Sequence, residues 1–189
     1  MHISQSLIFA ATLAKGVIAL EAPIPGYGVE VLQWDVVVSP GKVEVLNGTI
    51  QEVYAQALQI NPDFKIIPVS EMDLHERRDI LERRPPVECG IWPLAEKFRI
   101  EEGIGYLRGL EGSPSHGPGP GICARVSCSY NAAIWWCNDN TNPITLDKWY
   151  WLADSAQHIV NTCAPYSEEV SGKNVEGSNW YSFIGRTEC

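Results

Sequence analysis

The chain has 189 residues, a formal net charge of -9, and 45% hydrophobic and 20% charged residues. This length and apolar content suit one medium-sized domain or two small ones, and they exclude an intrinsically disordered chain. The acidic balance argues against nucleic acid or an anionic membrane as the main partner, because both attract basic surfaces. No run of about 18 apolar residues follows the N-terminal segment, so we expect no membrane span.

Residues 1–19 are predicted to be a secretory signal peptide. Their apolar stretch, interrupted by Lys15, is too short to span a bilayer and leads into small residues that suit signal peptidase. Ala19 is the first choice of cleavage site and Ala22 the second. The stretch lacks a basic start, and the alternative interpretation is a buried N-terminal helix of a cytosolic protein. The prediction is a secreted, extracellular protein.

The cysteine content supports export. All six cysteines fall between residues 89 and 189, and an even number in an exported chain indicates three disulfides. They are Cys89, Cys123, Cys128, Cys137, Cys163 and Cys189. A metal site is disfavoured because there is no C-x-x-C, and His116 and His158 lack finger-like spacing. We expect neither a metal nor a cofactor, and the pairing stays open because six cysteines allow about fifteen combinations.

Residues 20–84 contain no cysteine and end in a charged linker with two dibasic pairs, formed by Arg77, Arg78, Arg83 and Arg84. A kexin-type protease of the secretory pathway would recognise such pairs, which predicts that residues 20–84 are a pro-domain. Pro85 disfavours cleavage after Arg84, so the first pair is the safer site. The alternative is a solvated charged helix between two domains.

The predicted pro-domain has the order ββαβ. Alternating valines predict strands at residues 29–38 and 43–46, and the helical period over residues 50–58 follows a capping box from Thr49 to Glu52. A third strand is expected at residues 64–69. Asn47 begins an N-glycosylation sequon. We expect a segment that assists folding or suppresses activity.

Residues 85–189 are predicted to fold as a two-layer α+β sandwich of an antiparallel sheet and two helices, held by the three disulfides. The helices are expected at residues 96–110 and 146–163. Gly103 and Gly105 in the first helix indicate close approach to the sheet. A hairpin is expected at residues 124–138 with its turn at Tyr130 and Asn131, and two strands at 169–175 and 180–184 close the sheet.

The segment at residues 125–139, RVSCSYNAAIWWCND, resembles a widespread family of small secreted fungal proteins counted as candidate effectors. Cys89-Gly90, the GIGYLR of residues 103–108 and the ADSAQHIV of residues 153–160 extend the resemblance to most of the chain. The N-terminal half resembles the pro-region of such proteins. More loosely, the order of elements and cysteines is similar to fungal necrosis-inducing effectors and smut killer toxins. The resemblance implies no catalytic residue.

No residue pattern predicts catalysis. His116 and His158, with Glu and Arg elsewhere, could serve a small secreted hydrolase such as a nuclease if the structure brings them into one cleft. Tryptophans favour binding instead. Trp135 and Trp136 must face opposite sides of a strand, so one is core. Candidate binding residues are Trp136 and, on the polar side of the last helix, Trp151, Asp147 and His158.

The sequence therefore predicts a secreted fungal effector or toxin-like protein that is released from a pro-protein. It would act extracellularly by binding a host or competitor protein. The alternatives are the small secreted hydrolase and a carbohydrate-binding module for cell-wall polysaccharide. In either binding role Tyr and Trp side chains at the surface are the expected contacts, although a small domain also uses tryptophan as core.

Overall fold

The computed structural model describes residues 20–66 and 86–189. Over these residues the chain is an α+β protein with three helices, mainly antiparallel sheets and three disulfides. The predicted signal peptide and the dibasic pairs, with Arg77, Arg78, Arg83 and Arg84, lie outside the described residues. None of the helices in the described ranges is long and apolar enough to cross a bilayer.

The N-terminal segment, which we define as residues 20–66, begins with three strands and a helix. They are β1 (Gly28–Glu30), β2 (Gln33–Ser39), β3 (Lys42–Asn47) and α1 (Ile50–Ile60). The capping box of Thr49 and Glu52 is confirmed, and Asn61 caps the C-terminus of α1. Of the strand predicted at residues 64–69, residues 64–66 are not in a strand, and residues 67–69 lie outside the described residues. Phe64 packs on Tyr54 of α1 instead, with ring centroids 5.9 Å apart.

Residues 86–189 contain the remaining elements. They are β4 (Glu88–Cys89), β5 (Ala95–Glu96), α2 (Lys97–Arg108), β6 (Ser115–His116), β7 (Ile122–Ser129), β8 (Ala132–Asn138), β9 (Ile144–Thr145), α3 (Tyr150–Cys163), β10 (Glu169–Val170), β11 (Gly172–Glu176) and β12 (Trp180–Arg186). The predicted hairpin is confirmed as β7 and β8, and the predicted closing strands are β10 to β12. Helix α3 starts four residues later than predicted, at Tyr150.

Six strands form the main sheet, in the order β1-β7-β8-β12-β11-β4. β1 pairs with β7 in parallel, from Gly28 opposite Ile122 to Glu30 opposite Ala124. The other pairs of this sheet are antiparallel. A strand of the N-terminal segment is therefore an edge strand of the sheet built by residues 86–189.

Each face of the main sheet is covered. Ala124, Ile134 and Trp136 face a cluster that also contains buried residues of all three helices. Trp135 and Phe183 belong to a second cluster with Cys123 and Cys137. The two adjacent tryptophans thus point to opposite faces, as expected from strand geometry, and both are completely buried.

The N-terminal segment contributes to both clusters. Trp34 of β2 and Ile50 of α1 belong to the cluster on the helix side. Tyr27 and Val29 pack against the cluster on the other side. The predicted division at residue 84 consequently does not divide the hydrophobic core.

The cysteines form three disulfides, and the structure resolves the pairing that the sequence left open. Cys89 of β4 pairs with Cys163 at the end of α3, so this bond joins a helix to the edge of the sheet. Cys123 and Cys137 connect β7 to β8. Cys128 bonds the C-terminal Cys189. The described residues contain no free cysteine.

The two glycines of α2 make a matched test of the helix–sheet packing. A Cβ at Gly103 would collide with Ser127 Oγ and lie 3.2 Å from Ile134 Cδ1, whereas a Cβ at Gly105 meets no atom within 4 Å. We therefore expect Gly103→Ala to lower the free energy of unfolding by about 1–3 kcal/mol. Gly105→Ala should raise it by up to about 1 kcal/mol through helix propensity. Urea unfolding measures both, and equal effects would contradict this packing.

Candidate functional site

The four residues predicted to bind do not form one surface. Trp151 and His158 are half-buried on α3, while Asp147 is exposed in the turn before that helix. The Trp151 ring packs edge-on against Tyr150, with centroids 6.4 Å apart. Trp136 is 0% exposed. Its proposed binding role is wrong, because the alternation along β8 turns its ring into the cluster under the helices.

The polar side of α3 is also more buried than predicted. Ser155 is buried and its hydroxyl lies 2.7 Å from Ser182 Oγ, and it accepts a hydrogen bond of 2.8 Å from Asn174 Nδ2. Asp154 is buried as well, and it accepts a hydrogen bond from the Tyr150 hydroxyl. The reason is that α3 contacts both the sheet and α2, so its buried arc is wider than one helical face.

Two exposed aromatic side chains lie close together elsewhere, at the β7–β8 turn and the start of α2. We call Phe98, Arg99 and Tyr130 the aromatic cluster. Tyr130 is 74% exposed and Phe98 is 56% exposed. The Arg99 guanidinium carbon lies 3.8 Å from the Tyr130 ring centroid and 4.8 Å from that of Phe98. A cation between two exposed rings offers both apolar and charged contact area.

The hairpin turn fixes Tyr130 in place. Tyr130 and Asn131 have φ angles of 50° and 63°, which makes the two-residue connection that matches the twist of a hairpin. A tyrosine rarely adopts this left-handed conformation, and it costs about 1 kcal/mol or more. Asn131 O accepts a hydrogen bond from Thr187 N, and Asn131 Oδ1 accepts one from Cys189 N. The turn is thereby tied to the C-terminal residues and the Cys128–Cys189 disulfide.

Two carboxylates hold the arginine of the cluster. Arg99 Nη1 donates to Glu102 Oε2 at 2.8 Å, and Arg99 Nε lies 3.8 Å from Glu96 Oε2. The hydrogen bond to Glu102 raises the pKa of Arg99 above its ordinary value, so the guanidinium stays charged. The arginine of the aromatic cluster is therefore ion-paired as well as stacked.

The nearby loop extends the apolar surface. Ile91 and Leu94 are exposed in the connection between β4 and β5. Pro93 O accepts a hydrogen bond from Arg186 N at the end of β12, and Arg186 is paired with Ala132, two residues after Tyr130. This loop therefore crosses the same end of the sheet as the aromatic cluster.

The turn at residues 130 and 131 was predicted from the sequence, but the exposure of the Tyr130 ring was not. A two-residue turn at the end of two largely buried strands projects its side chains into solvent. The presence of Tyr130 in this turn therefore indicates an exposed aromatic ring. The stacking on Arg99 depends on how α2 crosses the hairpin, which residue spacing does not reveal.

Apart from the aromatic cluster, the structure has a cavity of about 500 Å³ between the N-terminal segment and β7. It is lined by Glu30, Glu52 and Arg125 among others, and partial burial lowers the pKa of Arg125. His116 adjoins it, with Nδ1 at 2.8 Å from Glu30 Oε1. These residues are the His, Glu and Arg set that a nuclease would need.

The hydrogen bonds of the cavity do not favour catalysis. His116 lies with Nε2 3.0 Å from the Trp136 carbonyl oxygen, and its side chain has no exposed surface. Both imidazole nitrogens are thus occupied by acceptors, which leaves no site to exchange a proton with a substrate. Glu52 is engaged in the capping box. Among the described residues no group of three or more His, Cys, Asp or Glu could hold a metal ion.

Comparison with protein-family models, with curated proteins and with solved structures finds no match to this chain. The class of protein that the geometry defines is therefore a disulfide-bonded α+β protein with an exposed aromatic cluster. A particular function has to be argued from that cluster and from the sequence.

A double-mutant cycle tests whether the aromatic cluster is stacked in solution. We expect Arg99→Met and Tyr130→Asn to show a coupling energy of about 0.5–1 kcal/mol, the usual value for an exposed cation–π contact. Asparagine tolerates the left-handed conformation at position 130, so the turn is retained. Urea unfolding of the two single variants and the double variant measures the coupling. Additive effects would contradict the stacked arrangement.

Proposed function

We propose that the chain is a secreted effector or toxin-like protein, of fungal origin, that acts outside the cell by binding a host or competitor protein. The observation that carries this proposal is the aromatic cluster. Tyrosine and arginine are enriched among residues that dominate binding energy, and preorganised side chains lose little entropy on binding. Tyr130 keeps an unfavourable backbone conformation at an exposed position, which favours a functional reason for that residue.

Export is supported by the signal-like residues 1–19 and by three disulfides, which persist in oxidising compartments. The resemblance of residues 125–139 to secreted fungal effectors supports the effector role. Processing at the dibasic pairs of residues 77–84 is part of the same proposal. So is the two-layer arrangement of residues 85–189, with α2 and α3 against one face of the sheet.

The proposal is tested by replacing the exposed rings. We expect Tyr130→Ala and Phe98→Ala each to raise the half-effective concentration of the purified protein about thirtyfold or more, the effect of losing a binding hot spot. The assays are death of leaf tissue and growth inhibition of competitor fungi. Tyr166→Ala is the matched control, since Tyr166 is fully exposed on a loop outside the aromatic cluster.

Each outcome of this assay is informative. Loss of activity in both cluster variants at unchanged thermal stability supports a binding surface at the cluster. Equal loss in Tyr166→Ala, or full activity of both cluster variants, would count against it. Retention of the wild-type protein on insoluble chitin or glucan, abolished by Tyr130→Ala, would replace the protein partner with cell-wall polysaccharide.

Glycosylation at Asn47 is a further part of the proposal, supported by the outer face of the β2–β3 hairpin. Val37, Val43 and Val45 are 49–58% exposed on that face, and Val37 is paired directly with Val43. Asn47 is exposed and follows Val43 and Val45 at alternate positions of β3, so its side chain stands on the same face. A glycan there would cover the valines.

Removal of that glycan gives a separate prediction. We expect Asn47→Gln, produced in a fungal secretory host, to lose one glycan mass and to self-associate, because exposed apolar patches promote contact between copies. This variant keeps the Thr49 cap, which Thr49→Ala would remove together with the sequon. Light scattering measures association, and enzymatic deglycosylation of the wild type is the control. A monodisperse Asn47→Gln protein would contradict a shielding role.

A further inference from the structure

We infer that the N-terminal segment, residues 20–66, is a permanent noncovalent subunit of the processed protein and is not a propeptide that leaves. This inference rests on the proposed processing at the dibasic pairs of residues 77–84. The surface that retains the segment is built by β7, by the loop around His116 and by the start of α3. Since residues 20–66 contain no cysteine, retention after cleavage depends on noncovalent contacts alone.

Backbone pairing is the first of these contacts. The order of the main sheet leaves β7 between β1 and β8, so loss of the segment would turn β7 into an edge strand. Gly28 N also donates to Gly121 O at 2.8 Å, just before β7. Unpaired strand edges inside a covered sheet leave backbone groups without partners, which is costly.

Hydrogen bonding by the Glu30 carboxylate is the second contact. Glu30 Oε1 lies 2.8 Å from His116 Nδ1 and accepts a 2.8 Å hydrogen bond from Gly117 N. Nε2 of the same imidazole faces the carbonyl oxygen of Trp136, which can only accept. Nδ1 also lies 3.0 Å from the Gly117 carbonyl oxygen, so removal of Glu30 would leave the Gly117 N–H, and not the ring, without this partner. Loss of a hydrogen bond to a charged acceptor is costly.

The third contact is at the irregularity of β7 between Arg125 and Ser127. The amide of Gln51 bridges it, since Nε2 donates to Ser127 Oγ at 2.7 Å and Oε1 accepts from Cys128 N at 3.0 Å. A bulge leaves backbone groups outside the ladder. The Cys128 N–H next to the bulge is satisfied by the Gln51 side chain, which belongs to the N-terminal segment.

Apolar packing is the fourth contact. The indole of Trp34 stacks on that of Trp149, with ring centroids 3.7 Å apart and planes 11° apart. Both are almost completely buried, as are Ile50 and Val53 of α1. These residues share one cluster with Val126 of β7. Separation of the segment would expose all of this surface to water.

The test uses the full chain, with a site-specific protease site placed within residues 67–85 so that cleavage does not depend on the natural protease. After complete cleavage of the folded protein, we expect both chains to coelute as one species in native size-exclusion chromatography, down to nanomolar concentration. Denaturing electrophoresis should show two chains. Separation of the chains at micromolar concentration would overturn the inference.

Variants of the N-terminal segment identify the contacts that retain it. Trp34→Ala, on the inner face of β2, should raise the dissociation constant of the cleaved protein by roughly a hundredfold or more. Glu30→Ala is a second weakening variant, with roughly a tenfold effect from the lost hydrogen bonds to its carboxylate. Val45→Thr, on the outer face of β3, should leave it unchanged. Each variant is checked by circular dichroism before cleavage, and equal constants for all three would contradict the proposed surface.

A separate measurement distinguishes failure of the proposed processing from failure of the subunit inference. N-terminal sequencing and intact mass of the protein secreted by its own host show whether the linker is cut. An uncut secreted chain would remove the processing proposal, while the cleaved protein would still report whether the segment is held. A secreted product that lacks residues 20–66 altogether would overturn the subunit role directly.

Discussion

Every residue of β8, Ala132–Asn138, is buried, and this constraint organises the molecule. A strand buried on both faces needs cover on both sides of its sheet. On one side the cover is the three helices. On the other side it comes from Cys123–Cys137, from aromatic residues such as Tyr181, and from the loops and the N-terminal residues that lie over them. Residues 86–189 supply most of this cover, but the N-terminal segment contributes on both sides.

Buried polar groups then have to find partners inside this packing. Asn138 at the end of β8 shows how this is done. Its Nδ2 donates to Gly117 O and Asn142 O, and its Oδ1 accepts from Asn140 N. These bonds hold the loop around His116 against the sheet, although its Gly and Pro content alone suggests a mobile loop. The His116–Glu30 pair then connects this loop to β1.

The packing around β8 also explains how the aromatic cluster is positioned. Its tyrosine stands at the end of the hairpin that contains β8, and its arginine is on a helix that approaches the hairpin closely at Gly103. Exposed aromatic rings on a mobile loop would lose entropy on binding, whereas rings on a fixed hairpin lose little. Ser155 Oγ lies 2.7 Å from Ser182 Oγ and accepts a hydrogen bond from Asn174 Nδ2 inside the core, so this polar group of α3 serves packing against the sheet.

Local signals in the sequence determined the α+β class, the caps of α1 and the turn of the β7–β8 hairpin, because each depends on residues close together in the chain. The even number of cysteines indicated three disulfides. Tertiary structure decided the cysteine pairing, the burial of Trp136 and the exposure of Tyr130. It also decided that β1 joins β7 and that Trp34 meets Trp149. These contacts join distant residues, and a periodic pattern shows that a face is apolar without showing what covers it.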